Sequence, residues 1–128
     1  MTPFLVGVLL AVAVAAVGKF TKFDQERSFY ATILIIIASY YALFALQGLS
    51  PSALIWEVLF ALAFSAVAIF GALHAPLLVG VGIVAHGVFD AVHSMIIDNP
   101  GVPPWWPTFC ASIDVALGLW VIHLSRSR

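Results

Sequence analysis

His86, Asp90 and His93 stand at i, i+4 and i+7, the spacing that stacks side chains on one face of an α-helix. Imidazole and carboxylate groups aimed in one direction suit a divalent metal such as zinc or iron. Asp114 shares a helical face with Cys110 and Gly118 by the same spacing, and Glu57 is a further carboxylate inside an apolar run. Like carboxylates at close range cannot both ionise without a cation between them, and a metal or a protonated histidine would resolve the conflict. The candidate buried polar site is therefore His86, Asp90, His93, Asp114 and Glu57, with His86, Asp90, His93 and Asp114 as candidate metal ligands. Tyr40, Tyr41, Ser65 and Cys110 are weaker polar neighbours. Other uses of the same atoms stay open. They could be hydrogen-bonded glue between helices, general acid/base groups acting on a lipid-like molecule, or a proton relay within an accessory subunit of a larger membrane complex. Nothing beside Cys110 in sequence would stabilise a thiolate, which disfavours it as a nucleophile.

The elements that must position these residues are hydrophobic. Of 128 residues, 63% are hydrophobic and 9% charged, with a mean hydropathy of +1.12. Such a chain lacks the polar residues to cover its own surface in water. It reads as an integral membrane protein of the cell membrane, in contact with lipid and open to homo-oligomers or a larger complex. A net charge of −1 leaves no basic surface for nucleic acid. The single cysteine excludes an internal disulfide and a four-cysteine zinc site.

Prolines and glycines divide the chain into five apolar runs, roughly Pro3 to Gly18, Phe29 to Gly48, Ala53 to Leu73, Pro76 to Ile97 and Pro107 to Leu124. Most approach the ~20 residues that a helix needs to cross a ~30 Å hydrocarbon core. The first and last are short enough to require thinning or snorkelling. The first run lacks the basic residues that precede a signal peptide's apolar core, so it reads as a retained helix. The expected fold is an all-α bundle of five transmembrane helices forming a single domain over residues 1–128. Five crossings gather Lys19, Lys22, Arg27, Arg126 and Arg128 on one side. The positive-inside rule makes that side cytoplasmic, with the N-terminus out and the C-terminus in.

At about 1.5 Å of rise per residue, Asp90 and Asp114 both lie about 10 Å below the outer face. Tyr40 and Tyr41 come out near that level, Glu57, His93 and Cys110 slightly nearer the surface, and His86 deeper. The site is expected in the outer half of the bilayer, where ionisable groups usually face the bundle interior. His74 and His123 fall near the cytoplasmic face. The step from Gly87 to Ala91 is a small-xxx-small pattern that allows close helix approach, which would let Asp114 meet Asp90 or a histidine. The outer loop around Pro100, Pro103, Pro104 and Pro107 cannot be helical. Its Trp105 and Trp106 suit either an interfacial anchor or a lid packed over the pocket.

The stretch from Gly82 to Trp120 resembles a family of short bacterial integral membrane proteins of unknown function. The resemblance rests on the H-x-x-x-D-x-x-H helix, the Pro-rich loop, and Cys110, Asp114 and Trp120 on the following helix. It implies a bacterial inner-membrane fold and a site, but no reaction. It also implies a second histidine directly after His93, where this chain has Ser94.

Overall fold

The computed structural model describes residues 2–127, and Arg128, one of the charges used for orientation, lies outside the described residues. Five long helices make up the fold: α1 (Thr2–Thr21), α2 (Ser28–Gln47), α3 (Pro51–His74), α4 (Pro76–Ile96) and α5 (Trp106–Arg126). A short 3-10 turn, Phe23–Gln25, lies between α1 and α2. All five helices are long and apolar enough to cross a membrane, as a multi-pass membrane protein requires.

Local chemistry sets most boundaries. Ser50 accepts a hydrogen bond from the Ala53 amide at 3.4 Å and Pro51 begins α3, a proline-first start that wastes no backbone donor. Pro76 opens α4 in the same way, so α3 and α4 are separated by Ala75 alone. α1 and α5 run 20 and 21 residues, longer than their apolar runs. The helices continue past those runs because a basic residue in a last turn favours the helix dipole and does not stop the helix. Lys19 and Arg126 occupy those last turns.

The helices pack α2 on α3, α3 on α4, α4 on α5 and α5 on α1, with α2 also touching α4. Lys19 Nζ stands 5.8 Å from the Trp120 ring, and the exposed Arg27 guanidinium donates to the Leu73 carbonyl at 3.4 Å. The first loop, the α3–α4 turn and the end of α5 thus share one end of the bundle. Near that end the core is mostly aliphatic, with Leu34, Ile83 and Leu117 fully buried and Tyr30 among them. Toward the other end it holds Tyr41, Ala45, Ala53, Phe89 and Ile97.

The α4–α5 seam brings the polar groups together. A Cβ added at Gly118 would lie 2.7 Å from the Val84 amide nitrogen, and one at Gly87 would lie 3.1 Å from Asp114 Cβ. Side chains at these positions would hold the helices apart, so the glycines fix the approach of Asp114 to α4.

Candidate polar centre

Three side chains from two helices meet at the seam. His86 and Asp90 come from successive turns of α4 and Asp114 from α5; each is at most 1% exposed. His86 Nδ1 lies 2.8 Å from Asp114 Oδ2 and 3.5 Å from Asp90 Oδ2. One donor atom from each of the three falls within 4.8 Å of the others. Tyr41 of α2 donates its hydroxyl to Asp90 Oδ1 at 2.7 Å, and Cys110 Sγ lies 3.7 Å from Asp114 Oδ2. Asp90 Oδ2, Asp114 Oδ1 and His86 Nε2 are buried without a hydrogen-bond partner. Buried polar atoms are seldom left so. Phe64 meets the His86 ring edge-on, with centroids 4.7 Å apart, so an apolar wall closes that side.

His93 does not join this trio. Seven residues of helix place it about 10 Å along the axis from His86, where it meets Glu57 of α3. His93 Nε2 and Glu57 Oε2 are 2.6 Å apart, and Asn99 Nδ2 donates to the same oxygen at 2.7 Å. The Asn99 amide also donates to the Tyr41 carbonyl at 3.0 Å, while its oxygen accepts from the Gly101 amide at 3.1 Å. Tyr41 links the two clusters, since its ring stacks on His93 with centroids 3.9 Å apart and planes 10° apart. The candidate residues therefore form two adjacent groups joined through one tyrosine.

Sequence reasoning gave Asn99 no role and ranked Tyr41 only as a neighbour of the site. An amide among prolines is a signal that could have pointed to Asn99, because a tight loop against buried carboxylates needs a donor that carries no charge. Ile97 is buried, and Val102 and Trp106 pack partly buried against the same cluster. Trp106 meets Tyr40 and Phe44 edge-on at 5.3 and 4.9 Å. Trp105 is 50% exposed, as an interfacial anchor would be. His74 and His123 are exposed at the opposite end of the bundle and touch neither group.

The donor set of the trio could hold a divalent cation. Ligands about 2.0–2.1 Å from a tetrahedral ion stand about 3.3 Å from one another, which the 2.8 and 3.5 Å separations around His86 Nδ1 bracket. Two carboxylates and a neutral imidazole balance a charge of two. Three protein ligands also leave a position open, as catalytic zinc sites do. Tyr41 would then orient Asp90 from outside the ligand set, as hydrogen-bonding partners of metal ligands commonly do.

Neither a curated protein nor a solved structure matches the sequence. A family described as a family of unknown function, DUF6010, matches residues 2–127. The chain, with its paired polar groups buried among five apolar helices, belongs to that family.

Proposed function

We propose that this chain is a multi-pass membrane protein that holds a divalent metal ion, zinc or iron, between His86, Asp90 and Asp114. In this reading the N-terminus lies outside the cytoplasm, the C-terminus inside, and the metal in the outer half of the bilayer. One observation carries it: three ligand-type side chains, each at most 1% exposed, bring one donor atom apiece within 4.8 Å of the others. In so dry a place two neighbouring carboxylates both stay ionised only against two compensating charges. A divalent ion supplies both.

The open position that three ligands leave supports a reactive centre over a purely structural one. Glu57, His93 and Asn99 support the metal group from beside it through Tyr41. That second group favours a different role for its own atoms. Glu57 Oε2 already accepts from Asn99 and faces His93, the arrangement of hydrogen-bonded glue that ties α3 and the outer loop to α4.

Elemental analysis of protein extracted and purified without chelators tests the reading. About one equivalent of metal is expected for the wild-type chain, and less than a tenth of that for the Asp90→Asn/Asp114→Asn variant. Equal metal in both would assign the ion to some other place. None in either, after loading with zinc and with ferrous iron, would leave the trio as helix glue.

A further inference from the structure

The centre is not sealed on every side. A groove of about 430 Å³ lies between α1, α2 and α5, and its walls include Leu10, Ile36, Trp106 and Phe109. Its lining is mostly apolar, with polar atoms from Tyr40, Trp106, Cys110 and Asp114. Asp114 belongs to the buried trio, is 0% exposed, and has one carboxylate oxygen, Oδ1, without a partner. The groove arises because α1 packs along α5 and leaves the facing part of α2 uncovered. Trp106 and Leu117 both line it, and the eleven helical steps of α5 from one to the other give it about 16 Å of length.

We propose that the groove seats one long-chain lipid alcohol, with its hydrocarbon along α1 and α2 and its hydroxyl at Asp114. The volume falls in the ~300–1,000 Å³ range of small-molecule pockets, which suits a single chain. Hydrocarbon is also the medium that surrounds such a groove in a bilayer. The polar end follows from Asp114. A buried acceptor beside a second carboxylate demands a donor, and when no metal is bound an anionic head would add a third negative charge. A neutral hydroxyl donates and carries none. The inference takes the trio of the proposed function as a working centre and names the class of molecule brought to it, but the hydroxyl preference rests on Asp114 whether or not a metal is bound.

Trp106 lines the groove and reports on its contents. In a variant with Trp56, Trp105 and Trp120 changed to phenylalanine, phosphatidylcholine brominated along its chains should quench Trp106 fluorescence in reconstituted membranes. 1-Hexadecanol should then relieve the quenching at a mole fraction about tenfold lower than hexadecyl methyl ether, the difference of roughly one hydrogen bond to a carboxylate. The preference should hold in protein stripped with a chelator and in protein loaded with zinc. Val14→Phe/Ile36→Phe, which narrows the groove away from the trio, should abolish relief while leaving metal content unchanged. Equal relief by alcohol and ether, no relief by either, or full relief in the narrowed variant would overturn the proposal. A protein that never holds metal yet prefers the alcohol would instead refute the metal reading alone.

Discussion

Replacing Tyr41 with phenylalanine removes one oxygen and leaves the ring that stacks on His93. The lost hydroxyl donates to Asp90 Oδ1 at 2.7 Å, and the other oxygen, Oδ2, is already without a hydrogen-bond partner. Double-mutant cycles in a membrane protein put hydrogen bonds between helices at ~0.6 kcal/mol on average and ~1.7 at most. Bonds to charged groups in proteins are worth about 1.5–3 kcal/mol. Tyr41 is 1% exposed and Asp90 0%, so neither water nor lipid can replace the donor. The upper end of the membrane range should therefore apply. We expect Tyr41→Phe to cost about 1.5–2 kcal/mol, a fall of about 6–8 °C in the unfolding midpoint for a chain of this size. Thermal unfolding in a mild detergent reads this, with Tyr40→Phe as the control because Tyr40 is 37% exposed. In the Asp90→Asn background the same change should cost less than half as much, since the acceptor has lost its charge. A loss below ~0.6 kcal/mol, or equal losses in both backgrounds, would refute the claim that Tyr41 supports a buried carboxylate.

Other substitutions probe the remaining parts. Gly118→Ala places a methyl group 2.5 Å from Val84 Cγ2 and should cost about 1–3 kcal/mol by overpacking, with metal content falling as the seam opens; an unchanged midpoint would contradict the seam's role. His93→Leu leaves the buried Glu57 carboxylate without its imidazole and should cost about 3 kcal/mol, read by the same unfolding assay. Adding Glu57→Gln should recover part of that loss, and neither variant should lower metal content more than twofold. A reporter fused after Ser127 should be active only on the cytoplasmic side, and activity on the outer side would reverse the orientation.

Much of the fold was legible because its determinants are local. Pro51, Pro76 and the prolines of the last loop mark breaks in the apolar pattern, and helix period alone puts His86, Asp90 and His93 on one face. A shared face is not a shared site. Over seven residues the helix climbs about 10 Å, so His93 was aligned with His86 yet meets a different helix. Which of two adjacent tyrosines turns inward depends on the azimuth of α2, which its nearly uniform apolarity does not reveal. The structure buries Tyr41 and leaves Tyr40 partly exposed. Asn99 was hidden for another reason. Its partners, Glu57 and Tyr41, lie 42 and 58 residues away, and only tertiary packing joins them. The ends of α1 and α5 were read short because hydropathy stops at a charge while a helix need not.

X-ray absorption on the purified, metal-loaded protein tests the central claim most directly. The account predicts a first shell of nitrogen and oxygen at about 2.0–2.1 Å, with the outer-shell scattering of one imidazole. That imidazole signal should disappear in His86→Ala and persist in His93→Ala. A sulfur shell at about 2.3 Å, an imidazole signal lost with His93 in place of His86, or no bound metal to measure would contradict it.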